Sequence, residues 1–137
     1  DPVYVTRPVL PPLEELIPLL EGIWERRILT NCGPLQLQFE SELGAFLGLP
    51  QVSVVANGML GLECAMVAAG VWGCGGEVIT TPYSFVATAH AIRRAGLIPV
   101  FVDIRPDDLN IDPEQVAAAI TPRTRAIVPV HCYGNPC

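Results

Sequence analysis

Hydrophobic spacing changes character partway along this chain. From Pro11 to Gly48 the apolar residues recur at helical intervals, and from Val52 onward short unbroken apolar runs alternate with helical stretches. Pro11-Pro12 followed by Leu13, Leu16, Ile17, Leu20 and Trp24 predicts a first helix with prolines at its start and a kink at Pro18. Thr30-Asn31-Cys32-Gly33-Pro34 reads as a turn. A second helix over 34–47 follows, with Leu37, Phe39, Leu43, Phe46 and Leu47 on its buried side and Gly48 as its stop. Residues 1–50 thus form a leading helical segment of one domain spanning 1–137.

The later apolar runs, Val52–Ala56, Glu77–Thr80, Ile98–Val102 and Ala126–Val130, predict strands. Helices are expected at Gly58–Ala69, Ser84–Ala95 and Pro113–Ala119, the last capped by Asp112. Fully apolar strands separated by helices imply an α/β fold, a mostly parallel sheet with helices on both faces. Ligands of such sheets bind beyond the carboxyl ends of the strands, where Asn57, Pro82–Phe85, Asp103 and His131 fall. No repeat, low-complexity segment or dividing linker interrupts the pattern.

Half of the 137 residues are hydrophobic and only 16% are charged, against about 25% in a typical soluble domain. The excess apolar surface is expected to be covered by further chain or by a partner subunit. The net charge is −6, and the arginines are scattered with no basic stripe, which argues against nucleic acid as a partner. No apolar run reaches the ~18 residues of a membrane-spanning helix, so no membrane is expected as a partner. The start at Asp1 carries no signal-peptide pattern. Cys32, Cys64, Cys74, Cys132 and Cys137 form no C-x-x-C pair and read as buried, reduced thiols of a cytoplasmic protein, with no metal site.

The chemistry-bearing stretch is Val52 to Glu63, an apolar strand turning through Asn57-Gly58 into a helix. Backbone N–H groups and the positive end of the helix dipole at such a start attract phosphate, although Asn-Gly also serves any tight strand-to-helix turn. The dinucleotide motif G-x-G-x-x-G is absent, and G-x-x-x-x-G-K-[ST] is ruled out because all eight basic residues are arginine. Thr80-Thr81-Pro82-Tyr83-Ser84-Phe85 places two aromatic residues after a strand, either to stack on a planar cofactor or to fill the core. His131 reads as hydrogen-bonded within its turn, His90 as a packing residue, Asp103 as a strand end and Asp112 as an N-cap.

These segments occur in a telling order. They comprise Asn31-x-Gly33-Pro34, Phe39-Glu40, Asn57-Gly58, Gly76-Glu77-Val78-Ile79, Pro82-Tyr83-Ser84-Phe85-Val86-Ala87-Thr88, Pro99 to Ile104, Asn110-Ile111-Asp112-Pro113, Ala119 to Thr124 and Pro129-Val130-His131-x-Tyr133-Gly134. The chain resembles the amino-terminal third of the DegT/DnrJ/EryC1/StrS sugar-nucleotide aminotransferases. Those are fold-type I enzymes dependent on pyridoxal 5'-phosphate (PLP), and the resemblance implies a partial, truncated large domain of that fold.

It also implies that the turn Asn57, Gly58, Met59 binds the cofactor phosphate, with Gly58 and its successor offering N–H groups, and that Phe85 stacks on the pyridine ring. Met59 departs from the hydroxyl residue usual there, a loss of about 1.5–3 kcal/mol of cofactor affinity if nothing replaces the bond. The connection Gly70–Gly76 is richer in glycine than is usual in the family. The family's aspartate, glutamine and Schiff-base lysine follow His-x-Tyr-Gly, so no residue of this chain is assigned a catalytic role and the chain alone is expected to be inactive.

The implied parent enzyme is a homodimer that aminates a nucleotide-linked keto-deoxysugar with an amino donor such as glutamate. Tyr4-Val5-Thr6-Arg7-Pro8 and Ile79–Phe85 are similar to members that act on C4 of a dTDP-4-keto-6-deoxyhexose. Two other readings stand beside it, a non-catalytic incomplete module and an unrelated flavodoxin-like phosphate-binding domain.

Overall fold

The computed structural model describes residues 2–4 and 6–137. Asp1, where the sequence reading starts the chain, and Val5 of the Tyr4–Pro8 segment lie outside the described residues. The chain divides into two compact units, Asp1–Val54 and Val55–Cys137.

The first unit holds helices α1 (Leu13–Arg26) and α2 (Pro34–Leu47). Pro12 precedes α1 and Glu14 and Glu15 occupy its first turn, where negative charge complements the dipole. The helix runs through Pro18 without interruption. Helix α2 has Pro34 in its first turn and ends at Gly48, whose φ of 67° is the left-handed C-cap that glycine adopts freely.

The expected buried stripe of α2 is not buried. Leu37, Phe39, Phe46 and Leu47 are exposed, and only Gly44 is inside. The cause is where the chain returns: it approaches α2 at Gly44, where a Cβ would stand 3.1 Å from Leu49 O, and not along the Leu/Phe stripe.

The expected strand Val52–Ala56 is likewise extended chain with no ladder. A strand exists only where its N–H and C=O groups find a partner strand. Here the Val54 N–H donates to Glu40 Oε1 at 2.9 Å.

The second unit alternates α3 (Gly58–Ala68), β1 (Glu77–Thr80), α4 (Ala87–Arg94), β2 (Ile98–Phe101), α5 (Pro113–Ala119) and β3 (Thr124–Ile127). The three strands are parallel in the order β2-β1-β3, with Ile79 opposite Val100 on one side and Ile127 on the other. Central β1 is buried at all four residues: Val78 and Ile79 enter the two cores, and the buried polar ends Glu77 and Thr80 are hydrogen-bonded, to Thr121 and Arg123 and to Val128 O.

Alternation along β1 separates two cores. Val78 packs with Met66 of α3 and Ala91 and Ile92 of α4, and Ile79 packs with Val102, Ile111 and, from α5, Val116. Helices therefore cover both faces, as expected. Pro99 sits on the edge strand, where Ile98 N and Val102 N donate inward to Gly76 O and Thr80 O, each at 2.9 Å. By alternation the N–H that proline lacks would have pointed away from the sheet.

Two boundaries differ from expectation. Helix α4 starts at Ala87 rather than Ser84, because Ser84 N bonds Pro82 O (2.9 Å) and Thr88 N bonds Phe85 O (3.1 Å), so 82–86 are turn. Strand β3 runs earlier than Ala126–Val130, although Val128 N still donates to Ile79 O at 2.9 Å.

The cysteines are all free thiols, but the expectation that they are buried fails for four: only Cys132 is inside. Cys64 faces outward from α3, Cys32 and Cys74 sit in turns, and Cys137 lies in the last segment.

Candidate functional site

Two features of the second unit are built for ligand chemistry. The first is the start of α3. Asn57 is its N-cap: Oδ1 accepts from Leu60 N at 3.0 Å, and Asn57 O accepts from Gly61 N at 3.2 Å. The N–H groups of Gly58 and Met59 precede the first intrahelical bond and point out of the helix end. A Cβ built on Gly58 would meet nothing within 4 Å. The Met59 side chain is turned inward against the Met66–Val78 core, leaving its backbone N–H as its polar contribution there.

Helices α3 and α4 pack together: Glu63 in mid-α3 meets Arg94 at the end of α4 (2.5 Å), and Gly73 N, beyond α3, donates to Ala95 O at 2.7 Å. Helix α4 itself starts after β1, at the carboxyl end of the sheet.

The second feature is a cavity of about 360 Å3 between the segments that follow β1 and β3, lined by Pro82–Phe85 and Val130–Tyr133. Phe85 is 80% exposed, so it does not fill the core of this unit. Tyr83 N donates to Thr81 Oγ1 (3.1 Å), and the Tyr83 and Tyr133 hydroxyls lie 3.3 Å apart. The Tyr133 hydroxyl beside it holds the Tyr83 phenol above the ordinary tyrosine range. Beneath the cavity Thr80 Oγ1 donates to Val128 O at 2.8 Å, tying β1 to the segment that carries His131.

Of the residues expected to bind the cofactor, Asn57, Gly58 and Met59 form one group and Phe85 belongs to the other; the cavity that Phe85 lines includes none of the three. His131 is hydrogen-bonded within its turn, Nδ1 accepting from Cys137 N at 3.1 Å. His90 is exposed on α4 rather than packed, because α4 turns Ala91 and Ile92 to the core. Asp112 caps α5, Oδ1 accepting from Glu114 N at 2.9 Å, and Asp103, two residues past β2, accepts from Ile104 N at 2.8 Å.

Sequence reasoning missed Tyr133 and Asn110. Their signal lay in His-x-Tyr-Gly and Asn-Ile-Asp-Pro, which mark residue types without saying what they touch. Among the described residues no three His, Cys, Asp or Glu side chains are placed to hold a metal ion, and no helix is long and apolar enough to cross a membrane.

A helix start with unpaired N–H groups and an exposed aromatic ring after the central strand are the residue types that PLP takes at its phosphate and its ring, though they share no cavity here. They do not supply the amine that the aldehyde needs, since the chain has no lysine. The parallel sheet with helices on both faces is that of fold-type I α/β transferases.

The chain belongs to the DegT/DnrJ/EryC1/StrS aminotransferase family, whose model matches residues 13–137. It is 57% identical over 136 residues to a dTDP-4-amino-4,6-dideoxy-D-glucose transaminase of Shigella dysenteriae, covering 99% of this chain and 36% of that protein. A transaminase of the same name from Escherichia coli is 52% identical over 135 residues, with 98% and 36% covered.

Among solved structures, DesI in the presence of its TDP-sugar product superposes with a TM-score of 0.88 at 43% identity, over 99% of this chain and 34% of that one. NtdA from Bacillus subtilis with bound cofactor PMP gives 0.83 at 35%, over 89% and 28%. The chain thus spans about a third of the relatives it matches, and the unrelated flavodoxin-like reading is overturned.

Proposed function

We propose that this chain is the amino-terminal part of the large domain of a PLP-dependent aminotransferase that aminates a nucleotide-linked keto-deoxysugar, a dTDP-4-keto-6-deoxyhexose. The observation that carries the reading is the start of α3, capped by Asn57, where the Gly58 and Met59 N–H groups have no intrahelical partner and a Cβ on Gly58 would meet nothing within 4 Å. Asn57 orients that start, Gly58 and Met59 hold the cofactor phosphate through the backbone, and Phe85 stacks on the ring.

The cofactor, when bound, is the electron sink for moving an amino group from a donor such as glutamate to the sugar ketone. The chain's own residues bind and orient it. The lysine comes from residues outside these 137. The names of the relatives, transaminases of a dTDP-linked 4-amino-4,6-dideoxyglucose, support the sugar and the position. The exposed apolar faces of α1 and α2 are surface for further chain or a second subunit to cover, and the homodimer is proposed for the complete protein; the cytoplasm is proposed from five free thiols.

The test replaces the matching third of the Escherichia coli transaminase with residues 2–137. The expected result is glutamate-dependent amination of the dTDP-4-keto-6-deoxy sugar by the chimera. A chimera that folds and binds PLP yet aminates only sugars lacking the nucleotide refutes the substrate class, and one that folds without binding PLP refutes the cofactor reading.

A further inference from the structure

Asn110 is 3% exposed and lies in the loop between β2 and α5, outside the cavity, yet both ends of its amide are committed to the segment that follows β3. Its Oδ1 accepts from Cys132 N at 3.2 Å and from Cys137 Sγ at 3.4 Å, and its Nδ2 donates to Pro136 O at 3.1 Å. The loop that carries it is itself fixed. Ile104 and Ile111 form an antiparallel bridge, Arg105 N donates to Asn110 O at 2.9 Å, and Ile111 packs against Ile79 of β1. A rigid loop therefore presents one amide to a segment that contributes no strand of its own.

That segment is in an improbable conformation. Tyr133 has φ 51° and Gly134 φ 81°, two successive left-handed residues, and the Tyr133 ring is 88% exposed. A side-chain-bearing residue in this region persists only where its surroundings over-determine it. Packing of the ring does not do so here. The bonds that do are Gly134 N to His131 O (3.1 Å), Asn135 N to Cys132 O (2.9 Å) and the clamp of Asn110 on the Cys132 N–H. What the conformation achieves is the approach of the Tyr133 hydroxyl to that of Tyr83, which stands two residues before Phe85.

We propose that Asn110 is a positioning residue: its buried amide fixes the Cys132–Gly134 turn so that Tyr133 meets Tyr83 and sets the wall of the cavity that carries Phe85. The effect on cofactor binding rests on the reading of Phe85 given above; the coupling of Asn110 to the tyrosine pair does not. Removing the amide strands the N–H of buried Cys132 and releases the turn, which parts the hydroxyls and frees the 82–85 segment.

The test uses Asn110→Ala, Asn110→Asp and Tyr133→Phe. The first readout is NMR titration of the chain with 13C at tyrosine Cζ, which resolves Tyr4, Tyr83 and Tyr133. In the wild type Tyr83 is expected to titrate above an ordinary tyrosine, because Tyr133 is its hydrogen-bond partner, and a wild type in which it does not overturns the pairing. Tyr83 is expected to return to the ordinary range in Asn110→Ala and Tyr133→Phe and to recover only in part in Asn110→Asp, whose carboxylate still accepts from Cys132 N but cannot donate to Pro136 O. An Asn110→Ala chain in which Tyr83 titrates as in the wild type overturns the proposal.

If that variant does not fold, hydrogen exchange at the wild-type Cys132 amide decides, and exchange as fast as in an exposed loop overturns it. The second readout is PLP affinity of the chimera, expected to fall about three- to tenfold in Asn110→Ala and Tyr133→Phe, the effect of one neutral hydrogen bond. Unchanged affinity in variants whose tyrosines have parted overturns the positioning of Phe85. A wild-type chimera that never binds PLP sinks the cofactor reading instead, while the tyrosine titration still judges Asn110.

Discussion

Alanine in place of Gly58 is expected to strengthen the fold and weaken the site. Gly58 opens α3 without left-handed φ, and an added Cβ meets nothing within 4 Å, so the protein accommodates the methyl. Alanine is the better helix former by at most about 1 kcal/mol, and less at a first position. The melting temperature should hold or rise by a few degrees. The methyl would stand next to the Gly58 and Met59 N–H groups, where the phosphate is proposed to bind. Each charge-assisted bond is worth about 1.5–3 kcal/mol, so losing one costs roughly tenfold to a hundredfold in affinity.

The assay measures PLP and pyridoxal binding to the chimera by fluorescence quenching, beside thermal unfolding by circular dichroism. The substitution should penalise PLP and spare pyridoxal, which has no phosphate. Equal loss for both ligands, or none for PLP, refutes the phosphate site at α3; a lowered melting temperature refutes the open space above Gly58.

Gly76→Ala is expected to destabilise by about 1–3 kcal/mol, read by urea unfolding, because the new Cβ collides with the Arg125 side chain and stands 3.0 Å from Arg123 O, itself held by Glu77 N at 2.9 Å. Gly75→Ala, with open space around it, should show only the penalty of its φ of 68°. The Glu77 carboxyl is held below the ordinary carboxylate range by the Thr121 hydroxyl and then by Arg123. A depressed value stabilises above the unfolded pKa and is lost as pH falls through the folded one, so Thr121→Ala should lower the melting temperature at neutral pH, with the deficit shrinking below about pH 4.3. Borohydride reduction after PLP addition, followed by peptide mapping, should find no adduct on any internal residue, since the chain has no lysine; an internal adduct would overturn that expectation.

Legibility followed local cause. Pro34–Leu47, Glu77–Thr80 and Pro113–Ala119 carry their boundaries in their own residues: a proline in the first helical turn, an acidic first turn after Asp112, a glycine stop, a β-branched pair between glycines and a proline turn. The second unit was therefore readable as a parallel sheet with helices on both faces. Val52–Ala56 was not, because an apolar run specifies a strand only where another strand completes its ladder, and Val54 spends its N–H on Glu40. The α2 stripe failed for a related reason. Its spacing says that Phe39 and Phe46 are fit to be covered, and nothing in it says by what.

The candidate site divides along the same line. Asn57-Gly58 announces a helix start in two residues, and the cap and open space follow from local geometry. The wall around Phe85 depends on bonds between residues about 20 to 50 positions apart, Asn110 with Cys132 and Tyr83 with Tyr133, whose partners no local pattern reveals. Met59 joins the two halves. Its side chain, lacking the hydroxyl usual in the family, turns into the core with Met66 and Val78, so the phosphate reading rests on backbone donors, and those depend on the placement of α3. That placement is set chiefly by the apolar packing of α3 on α4, with the half-exposed Glu63–Arg94 pair beside it. Cofactor affinity should therefore respond to the α3–α4 contact even though neither Glu63 nor Arg94 lies near the start of α3.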